Sequence, residues 1–197
     1  MNEDKDLTYY LKNFNRKERF FLIKEALGLK EFRIGDKFRD KLQNELKINI
    51  PIDAYAAMDY HLDWIDVSLR LWQKKVKLEA IFENDKNDKG NYQLNSNQED
   101  IDFIIAFKDS DKYHLVLIEA KGVTGWTNKQ MDSKVKRFRE LFGESGKKQK
   151  NLIVHFLLMS PREPKRINED WPNWMTTDRK PNWLELTIPD NFMKVTR

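Results

Sequence analysis

The stretch that decides the fold runs Ile101-Asp102-Phe103-Ile104-Ile105-Ala106-Phe107, then Lys108-Asp109-Ser110-Asp111-Lys112, then Tyr113-His114-Leu115-Val116-Leu117-Ile118-Glu119-Ala120-Lys121. Two apolar runs flank a short polar segment, which predicts two strands joined by a turn. With the turn centred near Ser110, the numbers of facing residues sum to 220 or 221. In the second register Asp102 stands directly opposite Glu119 on the same face, with Cβ atoms about 4.5–5.5 Å apart. Side chains alternate along a strand, so Lys121 shares the face of Glu119, and Ile118 and Ala120 point the other way. Two carboxylates and an ammonium therefore converge at the end of one hairpin.

That convergence has chemical consequences. Neighbouring carboxylates repel, and both stay ionised only with a cation between them. Hard oxygen donors select Mg²⁺ or Mn²⁺, which keep most of their waters and accept a phosphate oxygen. A lysine beside such an ion can hold or help deprotonate an attacking water and steady developing charge. Taken singly, Asp102, Glu119 and Lys121 read as ordinary strand-end or exposed residues. Their place at the end of the apolar run Leu115-Val116-Leu117-Ile118 argues otherwise, because a charge embedded there needs a partner or a function.

Working outward, Thr127 to Phe142 has helical spacing in Met131, Val135, Phe138, Leu141 and Phe142, and Gly143 stops it. Leu152 to Met159 is almost wholly apolar, a strand buried on both faces. Upstream, Val76 to Phe82 alternates as a first strand would, and the polar stretch from Asn84 to Asn97 reads as an exposed loop. The first third reads as helical. A capping box at Asn15-Arg16-Lys17-Glu18 precedes the stripe Phe20, Phe21, Ile23, Ala26 and Leu27, which Gly28 ends. A second helix covers Asp36 to Leu46, and a third runs from about Ala54 to Lys75 on the spacing of Tyr60, Trp64, Val67, Leu71 and Trp72. The tail after residue 160 is rich in Pro and Trp, with a short strand near Trp183 to Ile188. The expected organisation is a single domain over 1–197: a helical part at 1–75, a core at 76–160, and a tail at 161–197 packing on it. Helices, strands, a helix and a strand argue for one α/β domain with a mixed sheet.

Composition narrows the function classes. The 197 residues hold no cysteine, which excludes disulfides and thiolate metal sites and fits a reducing compartment. The three histidines, His61, His114 and His155, are too scattered in sequence to suggest a zinc site. The chain begins without a basic segment followed by an apolar run, and no apolar stretch reaches the roughly 20 residues of a membrane span. A soluble, cytoplasmic protein is the expectation. Net charge is +4, unevenly spread: nine basic residues between Lys121 and Lys150 face three acidic ones, a local +6 against −2 elsewhere. A basic surface gathered in one segment suits a polyanion, although a charge run alone is more often a solvated helix face.

Asp102, sixteen residues, and then Glu119-Ala120-Lys121 resembles the motif of the PD-(D/E)XK nuclease superfamily, with its restriction-endonuclease-like fold. The resemblance covers roughly residues 76–160. It implies an αβββαβ core with a mixed central sheet flanked by helices, here with an N-terminal helical extension. It also implies a Mg²⁺-dependent (or Mn²⁺-dependent) phosphodiesterase, usually an endonuclease acting on double-stranded DNA. Carried over, Asp102 and Glu119 bind metal, the carbonyl of Ala120 adds a ligand, and Lys121 is the catalytic lysine. Many members place a glutamine in the following helix, which Gln130 matches. The chain departs from the pattern in having Glu99-Asp100-Ile101 before Asp102 in place of a proline. Glu18 or Glu25 is a candidate for the first-helix acidic residue of some members, with Glu18 more simply a capping partner. Asp100, two residues from Asp102, is a candidate to share its role.

On this reading Lys129, Lys134, Lys136 and Arg137 contact the phosphate backbone, with Lys129, Lys136 and Arg137 on the more exposed faces of the helix and Lys134, four residues from Gln130, on the side that looks toward the site if Gln130 plays its family role. Trp171, Trp174 and Trp183 either stack on bases or, as is commoner, pin the tail to the core. A restriction or repair role fits, and a homodimer is left open. The rival expectation is a catalytically inactive nucleic-acid-binding or protein-interaction domain of the same fold.

Overall fold

In a computed structural model, the described residues are 5–14, 22–23, 25–28, 33–75, 99–122, 126, 128–165 and 170–189, with the backbone alone at 129 and 130. Along the chain they form α1 (Leu7–Phe14), α2 (Asp36–Leu46), β1 (Tyr55–His61), α3 (Leu62–Trp72), β2 (Asp100–Asp109), β3 (Lys112–Ala120), α4 (Asn128–Phe142) and β4 (Leu152–Ser160). A 3-10 turn at Asn173–Met175 and the short strands β5 (Thr176–Thr177), β6 (Lys180–Pro181) and β7 (Trp183–Glu185) follow. Five strands make one sheet in the order β1-β2-β3-β4-β7, while β5 and β6 pair separately. β2 runs antiparallel to both of its neighbours, β1 and β3; β4 runs parallel to β3, and β7 parallel to β4. The fold is therefore α/β, a mixed sheet flanked by helices.

The hairpin forms in the second of the two expected registers: Phe103 pairs with Ile118 and Asp109 with Lys112, every pair summing to 221. Ser110 takes φ 56°, the left-handed conformation that a two-residue hairpin turn demands. Alternation divides the hairpin's side chains between two cores. Ile104, Ala106, Leu115 and Leu117 lie with α1, α3 and α4, including Leu11, Leu69, Met131, Val135 and Phe138. Ile105, Phe107, Val116 and Ile118 lie on the opposite face with Leu42 of α2, Ile50 and Leu184. β4 contributes Val154, Phe156 and Leu158 to the first core and Leu157 to the second, as its unbroken apolar run demands. Each fully buried side chain of this size contributes about 1.5–3 kcal/mol, so α4 is held chiefly by its Met131-to-Phe142 stripe. Gly143, at φ 75°, ends that helix.

Three sequence expectations need comment. The expected helix from Ala54 to Lys75 is wrong in its first half: Tyr55–His61 is an edge strand paired to β2, and only Leu62–Trp72 is helical. Tyr55-Ala56-Ala57-Met58 lacks β-branched residues, so its local preference is helical, and pairing with β2 overrides it. The helical N-terminal part thus supplies a strand of the sheet. The expected first strand at Val76–Phe82, the polar loop from Asn84 to Asn97 and the capping box at Asn15–Glu18 fall outside the described residues. Among the described residues no helix is long and apolar enough to cross a membrane.

Candidate active site

The strand row that carries Asp102 is irregular. β1 pairs with β2 at Met58↔Phe103 and again at Tyr60↔Ile101, skipping the row between, where Asp59 stands at φ 47°. On the other side, β2–β3 pairing stops at Phe103↔Ile118. Such an interruption re-aims a side chain out of the ladder. Asp102 uses that freedom: its Oδ2 accepts a hydrogen bond from the backbone N–H of Ala120 at 2.7 Å. The carboxylate is thereby fixed against the strand that carries Glu119.

Glu119 is the buried member of the site, 4% exposed. Its Oε1 accepts from Lys134 Nζ, and the same ammonium donates to the carbonyl of Asp100 at 2.7 Å. Burial pushes the Glu119 carboxyl up to about 7; Lys134 opposes that rise, the Asp102 charge adds to it, and Lys121 opposes it in turn. The four groups therefore sense one another's charge, and desolvation outweighs the attraction of two lysines. Lys121 is half-buried, its backbone N–H bonded to Met159 O at 2.9 Å and its Nζ 5.8 Å from the centre of the Trp126 ring. The ring face holds the ammonium without neutralising it.

Asp100 lies at the same end of the sheet, with its Oδ1 3.6 Å from His61 Nε2. Glu99 accepts from the hydroxyl of Ser133 in α4. Glu25 is exposed, and Glu18 lies outside the described residues. Gln130 and Lys129 stand in the first turn of α4, their side chains outside the described set.

One of the proposed phosphate-contacting residues is placed differently from expectation. Arg137 is buried, not exposed: its Nη2 donates to Asp63 Oδ1 at 2.7 Å and lies 3.7 Å from Asp66 Oδ2, and its Nη1 donates to Glu140 at 3.0 Å. The reason is packing, since α3 lies against the side of α4 that Arg137 occupies and presents two aspartates there. Lys134 faces the site, the side its spacing from Gln130 predicts, and there it bonds Glu119, its side chain 17% exposed. Among those whose side chains are described, Lys136 is the exposed one, as expected.

Sequence reasoning missed both partnerships. Asp63 and Asp66, three apart in a largely apolar helix, were the available signal for the first; for the second, the spacing of Lys134 from Gln130 turned it toward the site without naming Glu119 as its partner.

The tail tryptophans pack inward. Trp171 is 5% exposed and edge-on to Phe156, Trp174 sits against Phe138 and Phe142, and Trp183 Nε1 donates to Ser160 Oγ at 3.0 Å. His114 Nδ1 and His155 Nε2, far apart in sequence, lie 3.1 Å apart. By strand alternation they share the sheet face opposite Glu119.

The donor chemistry fits a hard divalent ion. Mg²⁺ is held through one or two carboxylates and keeps several waters, and Asp102 and Glu119 supply two on adjoining strands. Among the described residues no group of three or more His, Cys, Asp or Glu side chains is placed to hold an ion, and the candidate donors are this pair of carboxylates. No known protein family, curated protein or solved structure matches the chain.

Proposed function

We propose that this chain is a metal-dependent nuclease that hydrolyses phosphodiester bonds in DNA, with Asp102 and Glu119 holding Mg²⁺ or Mn²⁺, the Ala120 carbonyl adding a ligand, and Lys121 as the catalytic lysine. The observation that carries the reading is the buried, desolvated Glu119 on the strand adjoining Asp102, with Lys121 two residues further on. The strand pattern supports the finer reading of a restriction-endonuclease-like core. An antiparallel trio is followed by a helical crossover to a parallel fourth strand, with α3 inserted between the first two strands.

The ion supplies Lewis acidity and a more acidic bound water. The residues of the chain supply the rest. Asp102 is oriented by the Ala120 N–H, so its carboxylate needs no rearrangement to act. Glu119 sits where water is scarce, which strengthens any charge interaction there. Lys121, at the rim over Trp126, is placed to hold an attacking water or to stabilise charge developing on a phosphoryl oxygen. Gln130, in the first turn of α4, is the further residue that the family resemblance assigns to this site. The N-terminal turn of α4, which begins seven residues beyond Lys121, offers backbone N–H groups to a phosphate.

One observation favours the rival reading of a catalytically silent binding or interaction domain: Lys134 already neutralises Glu119. The experiment that separates the two is cleavage of plasmid and single-stranded DNA in Mg²⁺ or Mn²⁺ with an EDTA control. Wild type cleaves and Glu119→Gln does not if the nuclease reading holds; equal activity in both proteins identifies a contaminant and ends it.

A further inference from the structure

Lys134 occupies a position that the metal-site reading leaves unexplained. Its Nζ bonds both Glu119 Oε1 and the Asp100 carbonyl, and the Lys134 and Glu119 side chains are only 17% and 5% exposed. An ion pair so shielded is little weakened by water or salt. It cannot drift apart through movement of the helix either. Arg137, one turn further along α4, ties that helix to Asp63 and Asp66 of α3, and Ser133 bonds Glu99 at the start of β2. The lysine's own stem is the mobile part: four rotatable carbons let the ammonium leave while its Cα stays in place.

We propose that Lys134 is a built-in counter-ion standing in the cation's place, which a divalent ion must displace from Glu119 to load the site. The inference rests on the proposed metal site at Asp102 and Glu119. It explains how the site tolerates a buried carboxylate beside a second one without metal: the ammonium supplies the missing positive charge. Loading is then an exchange of a monovalent for a divalent cation at Glu119, and the ammonium's occupancy lowers the apparent metal affinity by mass action. The displaced ammonium keeps the Asp100 carbonyl within reach at the rim, where its charge is available to a phosphate.

The test is calorimetric titration of the full chain with Mn²⁺, without nucleic acid, comparing wild type, Lys134→Met, Lys134→Gln and Glu119→Gln. Removing a charge-assisted competitor is expected to tighten Mn²⁺ binding in Lys134→Met about tenfold or more. The metal-free melting temperature of that variant falls, and the rise on adding Mn²⁺ exceeds that of wild type. Lys134→Gln, which keeps a donor and loses the charge, shows the same change in affinity and serves if the Met variant fails to fold. Suppose wild type binds Mn²⁺, Glu119→Gln does not, and neither Lys134 variant binds more tightly. The metal site then stands and the displacement inference is overturned. If no protein of the set binds Mn²⁺, both fall together.

Discussion

Lys134 and Arg137 lie three residues apart on α4, and each carries its charge to a buried carboxylate, but the two pairs are built differently. Arg137 spends both ends of its fork, on Asp63 and Glu140, with Asp66 close by. Burial works to lower its pKa, and Glu140, Asp63 and Asp66 outweigh that and hold it above the ordinary value. Asp63 is raised by its own burial, against the pull of Arg137. Lys134 offers a single point charge to one carboxylate and one carbonyl. A guanidinium fork held at both Nη atoms by carboxylates is fixed in place, whereas an ammonium on a flexible stem can be exchanged. The helix therefore carries a structural clamp and an exchangeable charge within one turn, and the residue type at each position decides which is which.

The comparison is broken most directly at the clamp. Arg137→Met leaves Asp63 buried without its cation, and stability should fall by about 3 kcal/mol or more, read as a lowered midpoint in urea. A midpoint close to wild type would show that the α3–α4 contact is held by apolar packing alone. Lys121→Ala is the opposite case, at the site: cleavage should drop about 100-fold or more, while stability stays within about 0.5 kcal/mol. Activity assays in Mg²⁺ beside urea melts decide it, and retained cleavage would remove Lys121 from the chemistry.

A third buried pair sharpens the contrast by carrying no charge. His155 is lowered to about 4, by burial first and by His114 second, and His114 is lowered by its own burial, with Asp109 opposing and Lys112 adding to the shift. The sign follows from the folded pKa lying below the unfolded value near 6.5. The unfolded chain takes up a proton that the folded chain refuses, so stability is full above about 6.5 and is lost as pH falls toward 4. The loss attributable to His155 is on the order of 2 kcal/mol. His155→Gln should flatten that acid limb in melts recorded from pH 7 to 4, and an unchanged limb would place the titration elsewhere. The smallest effect is expected at Lys136, which lies between the two pairs and is exposed. Lys136→Ala should lower the salt slope of DNA binding, measured in Ca²⁺, by about 1. An unaltered slope would make this exposed face of α4 merely solvated.

Much of the site was legible because the hairpin's turn is short. The position of the turn limited the pairing to two registers, one of which sets Asp102 and Glu119 on facing rows, and the folded hairpin takes that one. The irregular row was not legible: Asp59 takes a left-handed φ only because β1 pairs with β2, and β1 itself read as helix. The fate of α4's charges was hidden for a related reason. Helical spacing showed which face was apolar, and Lys134 and Arg137 flank that stripe. Whether a flanking cation meets solvent or a carboxylate depends on what packs beside it.

The sequence by itself determined the α/β class, the hairpin to within two registers, the extents of α2 and α4 to within a residue, and the both-sides burial of β4. These follow from local periodicity and turn chemistry, which act over a few residues. Only the tertiary structure decided that Tyr55–His61 is a strand, that Arg137 is a clamp, and that Lys134 neutralises Glu119. Each of those rests on contacts between residues distant in the chain, where pairing, burial and charge neutralisation override local preference.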